Sequence, residues 1–480
     1  MPRIAIVGAG IAGLTAALTL RDAGISCHVY DASDRIGGRM HSDAITWADG
    51  MVSEWCGEFI DGDHETIHQL VARFGLSTID LGREPVGGAP SLMYFFQRFY
   101  AAKDLARDFQ AIAPLLRQQM REAGYPTTYA RFTPAGFALD QLSVNDWIEQ
   151  YVPGGHTVPL GHFLDAACSG FYGLDTGEQS ALNLVYMFGA RDLSRAATTP
   201  RPLRGSSKIV GGNEQLPRAI ARELPDGFLH LGHQLVELAR ERDDSLTLTF
   251  ATAQGILPVP CDRAILALPF STLRHVEYQR AGFDPLKRAA IEQLGYGTIS
   301  KLFLQFDRPY WYDEGSWPHA HSGFFITDLD IQTLWDVSLG QAGSHGLLVA
   351  YTSGHLGAAY APPTAYTSAT SAADPAEYPV DTIQRYAHAC LRQLEHIFPG
   401  ISAHYTGRAA LSYPTGDPYL LGSYACWRVG QYTRFGGYEG MRQGPVHFAG
   451  EHCSVEFQGY MEGAAREGAR AARELIQSVN

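Results

Sequence analysis

Hydrophobic positions change their spacing along the chain, and the changes divide it into blocks. Residues 4–7, Ile-Ala-Ile-Val, form a short unbroken apolar run, as expected of a strand buried on both faces in a parallel sheet. Glycines follow at once in Gly8-Ala-Gly10-Ile-Ala12-Gly13, and the spacing is then helical over residues 11–23. After Gly24 a second strand, residues 27–30, ends in Asp31. From about residue 81 the pattern predicts aromatic-rich helices over residues 92–100, 105–123, 143–151 and 180–193, with Ser143 as an N-cap. A glycine turn at Gly211-Gly212 opens a predicted helix over residues 214–223, followed by strands at 229–231, 236–239 and 264–269. Residues 274 to about 420 predict a mixed sheet, and the alanine, threonine and proline of residues 358–379 predict a surface loop. A strand ending at Gly450-Glu451 and a helix beginning near Gly459 close the pattern.

The first block carries chemistry. Gly8 allows a tight turn, Gly10 lets a pyrophosphate approach the backbone, and Gly13 lets the helix sit close to the sheet. The helix N-terminus points N–H groups at the phosphates, and Asp31 is placed to accept from a ribose diol. Strand, turn, helix, strand and acid at these offsets predict a dinucleotide site. The acid does not tell NAD from FAD, because both present the same ribose. Arg39, beyond the second glycine pair Gly37-Gly38, can fork onto the same pyrophosphate.

Composition narrows the partners. With 480 residues and 45% hydrophobic content, two domains with sizeable cores are expected. A formal net charge of −13 argues against nucleic acid and anionic membrane, and suits a cationic substrate. The seven cysteines are scattered without metal-ligand spacing, so no metal site is expected and a cytoplasmic location fits. The apolar residues 4–20 contain the phosphate-loop glycines and read as mature protein rather than a leader. No run of about 18 apolar residues occurs, and residues 466–480 form a charged helix, so no membrane anchor is expected.

The stretch Tyr30-Asp-Ala-Ser-Asp-Arg-Ile-Gly-Gly-Arg39 resembles the signature of the flavin amine oxidase superfamily, which includes monoamine, polyamine and L-amino-acid oxidases. The resemblance implies an α/β architecture: a discontinuous Rossmann-like FAD-binding domain over residues 1–80, 205–273 and 421–480, and an α+β substrate domain with helices and a mixed sheet over 81–204 and 274–420. It implies FAD, held noncovalently because Ser423 stands where monoamine oxidases carry the flavin-linked cysteine. Gly57-Glu58-Phe59 resembles the backbone stretch that runs across the flavin, and Val236 the position that holds the adenine edge. Glu451 is expected on the ribityl or ribose hydroxyls. The helix start at Gly459-Tyr460-Met461 is expected against the flavin pyrimidine edge, where it stabilises developing negative charge.

For substrate and catalysis the resemblance points to Lys301, Tyr424, Tyr460 and Asp61. Lys301 either snorkels to the surface or holds a water against flavin N5. Tyr424 and Tyr460 either pack or form two walls of an amine cage. Asp61 either pairs with a substrate ammonium or belongs to a simple Asp61-Gly-Asp63 turn. The implied reaction is hydride removal beside an amine, with O2 reoxidising the flavin to give H2O2 and the imine hydrolysed to a carbonyl and ammonia or amine. The principal alternative is an L-amino-acid oxidase, which needs a cation for the α-carboxylate, and Arg98 or Arg204 are the candidates for it. A non-amine desaturase and a catalytically silent flavin-binding protein are the remaining alternatives. A homodimer is left open.

Overall fold

Alternate side chains of the first strand, Ile4–Val7, enter two different cores. Ile4 and Ile6 pack with Leu14, Leu18 and Leu475 of the helices Ile11–Asp22 and Met461–Val479, whereas Ala5 and Val7 meet Leu238, Leu248 and Phe250. That second layer is an antiparallel sheet of Gln234–Arg240, Leu246–Thr252 and Gly255–Cys261. The computed structural model describes residues 2–82, 89–190, 205–369 and 380–479. Its central sheet is parallel and five-stranded, in the order Val446–Phe448, Arg263–Leu266, Ile4–Val7, His28–Tyr30, Leu229–His230. Burial on both faces explains why Ile4–Val7 shows no polar alternation.

An eight-stranded mixed sheet forms the other half, in the order Tyr366–Ala369, Tyr405–Ser412, Ser300–Phe306, Gly346–Thr352, Thr333–Asp336, Phe324–Thr327, Leu92–Phe95, Arg98–Phe99. Only the pair Phe324–Thr327 with Leu92–Phe95 is parallel. Along Ser300–Phe306 the pleat sends Leu302, Leu304 and Phe306 to one face, where Leu391 and Leu394 of the helix Val380–Ile397 cover them. Phe303 points to the opposite face, toward Trp47, Met51 and Trp55, and Lys301 shares its parity. A helical cluster over residues 102–189 packs on the same face of this sheet as Phe303, against Met93, Phe95 and Ile326.

Three expectations are corrected. Residues 92–100 form a hairpin rather than a helix: Phe96 and Gln97 take positive φ of 52° and 59°, which turns the chain between the paired residues Phe95 and Arg98. Residues 105–123 are two helices, Ala102–Phe109 and Ala113–Ala123, because Pro114 lacks an N–H and belongs in a first turn. The loop expected over 358–379 contains an edge strand, Tyr366–Ala369, whose Thr367 and Ala369 face inward, and residues 370–379 lie outside the described residues. Ser143 does cap its helix, accepting from Asp146 N–H at 3.0 Å, and Ser180 likewise caps Ala181–Gly189. Residues 191–193 of that expected helix lie outside the described residues. No helix among the described residues is long and apolar enough to cross a membrane.

Candidate active site

The glycines after the first strand are each required for a different steric reason. Gly8 has φ +106°, and a Cβ there would sit 2.5 Å from the Ala267 carbonyl oxygen. A Cβ on Gly13 would lie 1.9 Å from the Gly8 oxygen, so the helix Ile11–Asp22 approaches the strand too closely for any side chain. Gly10 is different: a Cβ would meet protein only at 3.9 Å, on the Gly37 oxygen, and would otherwise stand in the cavity. Gly10 is also the N-cap of that helix and offers no side-chain cap, so the first-turn N–H groups are left for a ligand. Gly37 N–H bonds to the Ala9 carbonyl at 2.9 Å, which sets the second glycine pair against the first.

Around this loop the polar groups are pre-ordered. Asp31 accepts from Ala9 N–H at 2.6 Å and from Ser33 N–H and hydroxyl at 2.9 and 2.7 Å. Arg39 donates to Glu451 Oε1 and to the Ser423 carbonyl, both at 2.8 Å. Glu451 also accepts from Ala425 N–H at 3.0 Å and Gly459 N–H at 2.8 Å, tying the last parallel strand to the start of the final helix. Val236 sits at a β-bulge, between the pairs Leu235–Phe250 and Glu237–Thr249, and faces the same cavity.

One cavity of about 980 Å³ joins these groups to Lys301, Tyr424, Tyr460 and Asp61. Lys301 does not snorkel. Its Nζ donates to the Glu54 carbonyl at 2.8 Å, the Cys56 carbonyl at 3.1 Å and Glu58 Oε2 at 2.9 Å. An ammonium has three protons, so a water on the cavity side would have to share one of them. Next to this pair the Glu54 carboxyl is pushed up to about 8 by burial, while it accepts from Asn213 N–H and the Ser42 hydroxyl.

Beyond Lys301 the walls become aromatic. Tyr424 hydroxyl donates to the Phe171 carbonyl at 2.8 Å and lies 3.0 Å from the Tyr351 hydroxyl. Burial raises both phenols, so they stay protonated as donors. Tyr460 meets Phe171 and His64 at centroid separations of 6.0 and 5.1 Å. At Asp61, His64 N–H bonds to its carbonyl to close the expected turn, and its carboxylate lines the cavity, accepting from Ser206 hydroxyl at 2.5 Å. Phe59 lines the same wall, and Gly57 packs under Met461, whose side chain a Cβ would meet at 3.2 Å. Arg98 is exposed on its hairpin and does not line the cavity, and Arg204 lies outside the described residues.

Sequence reasoning missed His452, Tyr351 and Trp335. The His452 ring is buried, lines the cavity, and has no hydrogen-bond partner for either nitrogen among the described residues. Burial, then the nearby Arg39 and Lys287 charges, hold its pKa well below the ordinary range, so the imidazole is neutral. A buried neutral imidazole and the likewise unpartnered Ser423 hydroxyl are what a polar ligand would satisfy. Together with the glycine loop and the bare helix N-terminus, they fit a dinucleotide lying along the cavity.

The family model for flavin containing amine oxidoreductase matches residues 11–476. An L-amino acid dehydrogenase of Synechocystis is 25% identical, over 98% of this chain and 94% of its own. A putrescine oxidase of Kocuria rosea is also 25% identical, over 98% and 95%. Among solved structures, a putrescine oxidase bound to putrescine matches with TM-score 0.77 and 22% identity, covering 99% of each chain. A cyclohexylamine oxidase from Brevibacterium oxydans matches with TM-score 0.78 and 20% identity, over 100% of this chain and 99% of that one.

Proposed function

Because the chain belongs to the flavin containing amine oxidoreductases, we propose that it is an oxidase of amines that holds FAD noncovalently. The observation that carries the reading is the single cavity running from the phosphate-loop glycines to the aromatic walls, with the Lys301–Glu58 pair on its lining. Gly8, Gly10, Ala12 and Gly13 would cradle the pyrophosphate, Asp31 the ribose, Val236 the adenine, and Gly57, Glu58, Phe59, Glu451, Gly459 and Met461 the flavin half, with Arg39 bracing Glu451. Bound flavin supplies the two-electron acceptor that takes hydride from the carbon beside an unprotonated amine and passes the electrons to O2 as H2O2.

The chain's own work is binding and orientation. Asp61 draws the ammonium to the site by charge. Tyr424 and Tyr460 hold the amine between them, and the desolvated walls favour its neutral, reactive form. Lys301 is held rigidly by three acceptors, so a water sharing one of its protons is fixed in place for imine hydrolysis or reoxidation. The domain division at 1–80, 205–273 and 421–480 against 81–204 and 274–420 accords with this reading, since it puts the cavity between cofactor and substrate parts.

Oxidation of L-amino acids to 2-oxo acid, ammonia and H2O2 is the second reading, favoured by relatives named L-amino-acid oxidases. Anaerobic mixing of the yellow holoprotein with amines and L-amino acids decides between them. Flavin bleaching by amines supports the first reading, bleaching by L-amino acids alone supports the second, and bleaching by neither defeats both.

A further inference from the structure

Among the described residues the substrate lobe of the cavity has mainly apolar and aromatic walls, and the ammonium nearest its centre, Lys301, 5.4 Å from the Trp335 ring, is neutralised by Glu58. Trp335 stands at its centre, with ring centroids of Phe59, Phe324 and Tyr351 at 5.3, 5.9 and 5.0 Å, and Phe324 nearly parallel to it. Ile326, two residues along the same strand, and Phe188 continue the apolar surface. The hydroxyls here serve one another: Tyr424 donates to Phe171, so the Tyr351 hydroxyl is the donor toward Tyr424.

Charge enters this lobe at its rim. Asp61 is 36% exposed and is held by Ser206. The other carboxylates discussed along the cavity are committed: Asp31 to Ala9 and Ser33, Glu58 to Lys301, Glu451 to Arg39. The described arginines and lysine on the lining are committed too: Arg39 to Glu451, Lys301 to Glu58, and Arg35 donating to the Gly38 carbonyl at 2.9 Å and lying over the Tyr366 ring. Among the described residues around Trp335, a substrate therefore meets mainly aromatic and aliphatic surface, with Asp61 as a partly exposed acid on the same cavity.

Resting on the amine oxidase reading, we infer that the substrate is a monoamine with a bulky apolar body, an aryl or alicyclic ring, rather than a diamine or an α-amino acid. Such a ring gains its transfer free energy and packs on Trp335 and Phe324 in offset fashion. A second ammonium, or an α-carboxylate, would be stripped of water among phenyl and indole rings with no uncommitted charge beside them among the described residues.

The test uses the FAD-loaded holoenzyme under anaerobic conditions, with benzylamine, cyclohexylamine, putrescine and L-phenylalanine as probes and dithionite as a control for a reducible flavin. The second-order rate of bleaching by benzylamine or cyclohexylamine should exceed those of putrescine and L-phenylalanine by about tenfold or more. In Phe324→Asp, which adds a carboxylate to the lobe, the ratio of putrescine to benzylamine rates should rise by about tenfold. Equal or faster bleaching by putrescine, or by L-phenylalanine, overturns the inference while leaving flavin-dependent C–N oxidation standing. Bleaching by dithionite alone defeats the amine oxidase reading and the inference with it. The native enzyme decides the matter even if the variant does not fold.

Discussion

Lys301 and Glu58 face each other across the seam between the eight-stranded sheet and the loop after the first β-α-β unit. Nζ and Oε2 are 2.9 Å apart, with each side chain 3% exposed. Removing one partner of such a pair strands a buried charge at a cost of about 3–5 kcal/mol, whereas removing both costs much less. Lys301→Met should therefore lower stability in urea unfolding by roughly that amount, and Lys301→Met with Glu58→Gln should recover more than half of it. A single variant as stable as the native protein would mean that water reaches the pair.

Gly10 and Gly13 should fail in opposite ways. Gly13→Ala drives a methyl into the Gly8 carbonyl and should give insoluble or strongly destabilised protein. Gly10→Ala has room among protein atoms and should yield folded protein that elutes colourless, without flavin. Retention of normal yellow colour by Gly10→Ala would remove the pyrophosphate from that turn.

Asp61→Asn keeps an acceptor for Ser206 but loses the charge. The expected result is a several-fold rise in KM for an amine, with kcat within about twofold of native. An unchanged KM in steady-state assays takes Asp61 out of substrate binding.

Glu54 makes stability depend on pH. Burial pushes its carboxyl up to about 8 from the ordinary 4.5, so the folded state keeps a proton that the unfolded state releases. Its contribution is complete below about pH 4.5 and is lost as pH rises through about 8. Glu54→Gln retains the polar contacts to Asn213 and Ser42 without the titration. Melting temperatures across that range should diverge in the variant's favour as pH rises, and parallel curves would contradict the shift.

Ser423 leaves the flavin without a thiol at the position where monoamine oxidases have one, and Cys426 is fully buried beside Asn183. Acid precipitation should release all the flavin into the supernatant. Colour retained in the washed pellet would show a covalent link.

The cofactor half was legible in the sequence because much of what dictates it lies inside the first β-α-β unit: Gly13 is forced by the Gly8 oxygen and Asp31 is held by Ala9 and Ser33, although the Ala267 contact at Gly8 comes from far along the chain. The strand Ser300–Phe306 was legible from the largely apolar residues that follow Lys301, but the partners of Lys301 were not, since Glu54 and Glu58 are more than 240 positions away. The hairpin at residues 92–100 was misread because its turn uses Phe96 and Gln97 at positive φ, where glycine or asparagine would have signalled it. The helix Pro159–Tyr172 escaped notice because Gly161 and Gly170 interrupt its pattern. Gly161 is explained only by tertiary contact, since a Cβ there would lie 2.0 Å from the Gly155 oxygen. Trp335 and His452 had no signal, because neither belongs to a spacing pattern and both acquire meaning from the cavity alone.

The first strand lies in the middle of its sheet, between His28–Tyr30 and Arg263–Leu266, with Val446–Phe448 beyond the latter, and its helix touches the last one so closely that Gly468 leaves no room for a side chain against Ala12. During synthesis the glycine loop therefore leaves the ribosome early and waits, its apolar strand uncovered, until nearly the whole chain has emerged. The topology thus makes completion of this half wait for the last segments, an interval in which an uncovered apolar strand is open to mispairing.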